Sequence, residues 1–141
     1  MTTTKRIPTV GITVLKGLEV LLVRHGKAAG HITGVIGTPG GRIDPGETPI
    51  VAAQRELEEE TGLHAEKEDL VELSKKYDAD FPRKDGSILF THHTVFACNK
   101  FSGELRATDE TIPEWVPIKN LSEMKLMANT EDMVNEAQKV L

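Results

Sequence analysis

Residues 37–63 read GTPGGRIDPGETPIVAAQRELEEETGL, a run of turn-forming glycines and prolines directly ahead of a segment that places four glutamates in five positions. The second half is a helix by its punctuation. Thr48 stands where a side chain can cap, and Pro49 occupies the first turn, where its missing N–H costs no hydrogen bond. The Ala, Gln, Arg, Glu and Leu that follow are strong helix formers, and Gly62 supplies the stop. Ile50, Ala53 and Leu57 recur at helical spacing and make an apolar stripe that would pack on a sheet. Glu56, Glu59 and Glu60 recur on a different face, while Glu58 points elsewhere, to solvent. Like charges so placed cost an isolated helix about a few tenths of a kcal/mol per pair, so this face calls for compensation.

Three carboxylates opposite a glycine turn, whose carbonyls no side chain covers, make an oxygen-rich site for a hard divalent cation. Mg²⁺ keeps several waters and completes its shell with substrate phosphates, which points to a phosphate-bearing substrate rather than a stored ion. A bound ion would neutralise phosphate oxygens and activate a water, and a glutamate left off the ion could take that water's proton. The competing reading is a solvated helix face, the commoner fate of a charge run.

The rest of the chain bounds the possibilities. Its 141 residues, 38% hydrophobic and 28% charged, suit one domain over 1–141 with one core. No apolar run approaches the roughly 20 residues needed to span a bilayer, and MTTTKRIPTV lacks the apolar core of a signal peptide. The expectation is therefore a cytoplasmic protein without a membrane partner. A net charge of −5 argues against an extended nucleic-acid surface, which needs clustered Lys and Arg. The single cysteine, Cys98, cannot form an internal disulfide and reads as a small buried hydrophobe.

VGITVL and VLLVR flank KGLE as a hairpin, and residues 25–34 read as a glycine-rich surface loop. A short strand near 35–38 precedes the PGG turn. Residues 70–80 and 87–100 read as two strands, FSGEL as a hairpin turn and EWVPI as a shorter strand. The tail from Asn129 carries a capping Asn or Thr and apolar Met133, Val134, Ala137 and Leu141 at helical spacing. This order suggests an α+β fold with a mixed sheet between helices.

The wider spacing selects between the two readings of the glutamates. Gly41, five residues, Glu47, seven residues, and then Arg55-Glu56-Leu57-Glu58-Glu59-Glu60-Thr61-Gly62-Leu63 resembles the Nudix box of the Nudix hydrolases at every fixed position. With ordinary residue usage, such a match arises by chance in fewer than about one in a million chains of this length. The resemblance implies the family's αβα sandwich and hydrolysis of a nucleoside diphosphate linked to another moiety, by water attack at phosphorus with Mg²⁺ or Mn²⁺. It implies Glu56, Glu59 and Glu60 as metal-binding carboxylates, the Gly40 carbonyl as a further ligand, and Arg55 holding Glu47 within the site. Glu56 and Glu59 also count as catalytic, Glu56 as one candidate base. In many relatives a later acid binds metal or acts as base; here the options are Asp109, Glu110 and Glu114, with Glu110 preferred.

For the substrate, Arg24 could reach a phosphate, and Tyr77, Phe81, Phe90 and His92 could offer a stacking face. His92 and His93 are strand neighbours and face opposite sides, so they do not share a metal. Trp115 reads as a packing residue. No substrate signature separates a nucleoside triphosphate, ADP-ribose, a nucleotide sugar and a dinucleoside polyphosphate. A Nudix-fold nucleotide sensor without turnover is the alternative, although such proteins usually lose a box glutamate and none is lost here. An isomerase acting on a non-nucleotide diphosphate would need further catalytic groups that this chain does not plainly offer. Relatives are often dimers, which leaves a homodimer open.

Overall fold

Two apolar strands distant in sequence meet side by side at the centre of the sheet. In the computed structural model, which describes residues 5–25 and 35–141, β1 (Ile7–Lys16) turns through Gly17, at φ 58°, into β2 (Glu19–His25). This is the hairpin read around KGLE. The chain continues through β3 (Ile36–Gly37), β4 (Gly40–Arg42), α1 (Pro49–Thr61), β5 (Leu63–His64) and a 3₁₀ turn (Lys67–Asp69). There follow β6 (Val71–Glu72), β7 (Tyr77–Pro82), β8 (Ile88–Cys98), β9 (Ser102–Gly103), β10 (Thr111–Pro117), a second 3₁₀ turn (Ile118–Glu123) and α2 (Thr130–Val140). Residues 26–34, read as a surface loop, lie outside the described residues.

β1 runs parallel to β8 from Ile7 opposite Thr91 to Val14 opposite Cys98. On its other edge it pairs antiparallel with β4, Gly11 opposite Gly40, and with β2 beyond. β10 and β3 extend from β2, while β6 and β7 share the far edge of β8. Because β1 and β8 are buried on both faces, they read as near-continuous apolar runs and their residues divide between two cores. Val10, Ile12, Val14, Phe96 and Cys98 pack with Ala52, Ala53 and Leu57 of α1. Leu15, Val95 and Ala97 pack with Met133, Val134 and Ala137 of α2. The architecture is α+β, a mixed sheet between two helices.

Several local expectations change in three dimensions. Residues 70–80 are not one strand: β6 and β7 both pair with β8, and residues 73–76 bulge between them while Leu73 still donates its N–H to the Val95 carbonyl at 2.9 Å. The bulge is held from α2, because the Glu136 carboxylate accepts from the Ser74 hydroxyl, the Lys75 N–H and the Tyr77 hydroxyl. FSGEL is not a hairpin turn; Ser102 and Gly103 pair with Leu63 and His64 across 39 residues or so of chain. EWVPI is the end of a longer strand, Thr111–Pro117, stitched to β2 along its length. Thr48 makes no side-chain cap, and its carbonyl receives the Ala52 N–H at 3.0 Å. Gly62 does end α1, at φ 84°, where a side chain would also strike the Glu104 carbonyl. Leu141 stays exposed.

Leu57 is fully buried under the sheet and anchors the helix that carries the glutamates. Leu57→Ala should lower stability by about 2–5 kcal/mol in a urea titration, the range for deleting a buried leucine. A loss under about 1 kcal/mol would mean that α1 is not seated in this core.

Candidate active site

The loop ahead of α1 folds on itself. Glu47 donates its N–H to the Asp44 carbonyl at 3.0 Å, with Pro45 and Gly46 (φ 80°) in the centre, the composition of a type II turn. The Glu47 carboxylate accepts back from the Asp44 N–H at 3.0 Å. Arg55, one turn and a half into α1, then forks onto Glu47: Nε and Nη2 each reach a carboxylate oxygen at 2.8 Å. The same guanidinium donates to Glu56 at 2.8 Å, Glu59 at 3.3 Å and the Arg42 carbonyl at 3.0 Å. The Arg55 hydrogen bond, with help from the Asp44 N–H, holds the Glu47 carboxyl down at about 2. The charge of Arg55 thus offsets part of the glutamate repulsion.

The glutamates lie against a strand with almost no side chains. A Cβ on Gly41 would sit 2.5 Å from the Glu56 carboxylate, so only glycine leaves room for that group. Gly40 donates its N–H to Glu60 Oε1 at 2.6 Å. Burial raises the Glu56 carboxyl, against the hydrogen bond from Arg55. Burial pushes Glu60 further, to about 8, against the Gly40 hydrogen bond, and the charges of Glu56, Glu59 and Glu110 add to it. A carboxylate so poorly compensated is the kind of group that a divalent cation stabilises, and the all-oxygen donor set is that of a hard ion. As placed, among the described residues, no three acidic, histidine or cysteine side chains converge on one point that could hold a metal. Arg55 keeps Glu56 and Glu59 turned toward itself.

The later acids separate by position. Thr111 donates its hydroxyl to the Glu60 carbonyl at 3.0 Å, which ties the start of β10 to the end of α1 and brings the charge of Glu110 within reach of Glu60. Glu114 instead forms a cross-strand pair with Arg24 at 3.0 Å, both side chains well exposed. That pair occupies Arg24, which does not line the cleft described next.

A cleft of about 260 Å³ opens on the α2 side of the sheet, and Gly40 and Gly41 form part of its wall. Tyr77, Ala79, Phe81 and Leu89 give it an apolar floor with Met127 and Met133 opposite. The stacking face read from the sequence divides here. Tyr77 and Phe81 line the cleft, whereas Phe90 and His92 fall on the other face of β8, where Arg6 lies over Phe90 and His92 bonds Asp78 at 2.6 Å. Strand alternation turns His93, not the His92 read from the sequence, into the cleft. The sequence signal for this was the alternation alone, and it did not say which face would be open. Trp115 packs on Phe101, with centroids 5.4 Å apart.

A NUDIX domain family matches residues 5–137. The chain belongs to the NUDIX family. This Nudix hydrolase is 29% identical over 113 residues to the 8-oxo-dGTP diphosphatase of Escherichia coli, a match covering 80% of this chain and 81% of that one. It is 43% identical over 58 residues to the human 8-oxo-dGDP phosphatase NUDT18, a stretch that is 41% of this chain and 17% of the human protein's length. Its fold matches a MutT NUDIX hydrolase from Burkholderia pseudomallei with a TM-score of 0.78 at 24% identity, covering 94% and 98% of the two chains. It also matches the NUDIX domain of Shewanella oneidensis NrtR, solved with ADP ribose, with a TM-score of 0.76 at 18% identity, covering 98% and 90%. Among the described residues no helix is long and apolar enough to cross a membrane.

The Glu60 environment has a measurable consequence. Its carboxyl lies above the ordinary 4.5, so the folded Nudix chain holds this proton more tightly than the unfolded chain does, and the group's contribution to stability is lost as pH rises toward about 8. His93, pushed down to about 4 by burial, acts in the opposite sense below its ordinary 6.5, which makes a difference measurement necessary. In chelator, the thermal stability of Glu60→Gln relative to wild type should grow across pH 4.5–8, and saturating Mg²⁺ should abolish the growth. A margin that is flat with pH would show that Glu60 is not under this strain.

Proposed function

We propose that this chain is a Mg²⁺- or Mn²⁺-dependent pyrophosphohydrolase that cleaves a nucleoside diphosphate linked to another moiety. Nucleoside triphosphates, oxidised ones included, ADP-ribose, nucleotide sugars and dinucleoside polyphosphates are the candidate substrates. The observation that carries this is β4: its two glycines have the glutamates of α1 against them and also form a wall of the cleft. A substrate lying in the cleft passes its phosphates along Gly40 and Gly41 to the carboxylates. Glu56, Glu59 and Glu60, with the Gly40 carbonyl, would hold the cation, which supplies charge neutralisation at the phosphate oxygens and a more acidic water. Arg55 and Glu47 keep the helix and its loop in register. Glu110, tethered beside Glu60 through Thr111, takes the proton of the attacking water, with Glu56 as the other candidate.

Purified protein incubated with each substrate class should release product with Mg²⁺ and none with chelator, as read by chromatography. Glu59→Gln and Glu60→Gln should each lose at least about a hundredfold in kcat with the fold retained. Full activity in both would sink the metal assignment. Glu110→Gln should slow turnover by a similar factor while Glu114→Gln, at a surface pair of small worth, leaves it within about twofold. The reverse ranking would transfer the base role to Glu114. A second reading, a nucleotide-binding sensor, draws on the three carboxylates that do not converge as placed. Tight binding with no product from any class would favour it.

A further inference from the structure

One polar ring interrupts the apolar floor of the cleft. His93 stands opposite Thr9 of β1 on one side and Tyr77 of β7 on the other, in the row of β8 residues that face α2. Its ring lies over Gly11: a Cβ there would occupy the place of Nε2, so the absence of a side chain at residue 11 is what lets the imidazole sink into the floor. Nδ1 is 2.6 Å from the Thr9 hydroxyl, which also reaches the His92 carbonyl at 3.4 Å. Thr9 can therefore donate to Nδ1, which leaves a hydrogen on Nε2, or accept from Nδ1 while donating to the carbonyl, which leaves Nε2 an acceptor. The 2.6 Å contact is a hydrogen bond in both tautomers, and the second also uses the 3.4 Å contact to the His92 carbonyl.

Three other hydroxyls in the cleft are already committed. Tyr77 donates to Glu136 at 2.6 Å, Thr91 to the Ala79 carbonyl at 3.3 Å and Thr130 to the Met127 carbonyl at 2.7 Å. His93 Nε2 has no hydrogen-bond partner among the described residues, and burial keeps the ring neutral at pH 7, with a value of about 4. A neutral ring nitrogen beside the apolar floor suits the in-plane edge of a flat heterocycle, whereas a phosphate would select a cation such as Arg42 or Arg83 elsewhere in the lining. The cleft, at about 260 Å³, falls short of the roughly 300–1,000 Å³ typical of drug-sized ligands and suits one nucleoside.

We propose that His93 is a specificity-determining residue that reads the nucleobase, with Nε2 hydrogen-bonding the base edge and Thr9 setting the tautomer it presents. This rests on the nucleotide substrate proposed above but not on turnover, and binding tests it separately. Wild-type protein with ¹⁵N-labelled histidine is titrated with AMP, GMP, CMP and UMP and with ribose 5-phosphate, following the imidazole nitrogens by NMR. Affinities of the same ligands are measured for wild type, His93→Leu and Thr9→Val. Expected are a shift of the His93 Nε2 resonance with at least one monophosphate and none with ribose 5-phosphate. His93→Leu should weaken the preferred base about tenfold and narrow the differences among bases, and Thr9→Val should change the ranking more than the affinity for ribose 5-phosphate. An Nε2 resonance unmoved at saturating monophosphate overturns the proposal, as does the same shift with ribose 5-phosphate or an unchanged ranking in His93→Leu. The NMR result stands on wild type even if a variant fails to fold. Hydrolysis without a response at His93 overturns this inference alone, whereas a response at His93 with no hydrolysis overturns only the hydrolase reading.

Discussion

The site depends on one guanidinium. Without Arg55, α1 would carry Glu56, Glu59 and Glu60 on one face with no positive group beside them, and the turn at Asp44–Glu47 would have only its own short hydrogen bonds. Arg55 joins the two by forking onto Glu47 while touching Glu56, Glu59 and the Arg42 carbonyl. Its side chain is only 26% exposed and that of Glu47 12%, so this pair is screened less than a surface ion pair and its geometry is better defined. Loop, helix and β4 are thereby fixed relative to one another. Glu60 is the member that Arg55 does not reach, and it is the one whose charge is least tolerated.

From this constraint follows a division of labour across the sheet. β1 is the shared wall, with Val10, Ile12 and Val14 facing the glutamate helix and Thr9 and Gly11 facing the cleft. β4 adds two residues of bare backbone, Gly40 and Gly41. Gly41 makes room for Glu56, and Gly40 binds Glu60 while also bordering the cleft. Charged groups suited to phosphate chemistry and a mostly apolar pocket suited to a flat ring are thus separated by one layer of peptide. A side chain on Gly41 would strike the Glu56 carboxylate, and one on Gly40 would strike the Val10 carbonyl of β1.

The far wall of the cleft is held by different means. α2 packs Met133, Val134 and Ala137 into its core, and Glu136 binds the bulge at Ser74 and Lys75 as well as the Tyr77 hydroxyl. Asn129, at φ 69°, donates its side-chain amide to the Asp78 carbonyl and closes the entry to the helix. Movement of α2 would therefore be felt at the Tyr77 and His93 end of the floor.

The helix α1, its glutamate face, the β1–β2 hairpin and α2 were legible in the sequence because each is specified within a few residues, by periodicity, turn and stop glycines and a fixed motif spacing, although the side-chain caps read at Thr48 and Asn129 are not made. The box residues Gly41, Glu47, Arg55, Glu56, Glu59 and Glu60 were legible for the same reason. The break between β6 and β7, the pairing of Ser102–Gly103 with Leu63–His64 and the full length of β10 were not, since each depends on a partner strand far away in the chain. Only tertiary structure brings the charge of Glu110 to Glu60 while pairing Glu114 with Arg24, and turns His93 rather than His92 into the cleft. A side chain's type and alternation say that it faces one side or the other, but only long-range register says which side holds the cleft and which acid is carried beside Glu60.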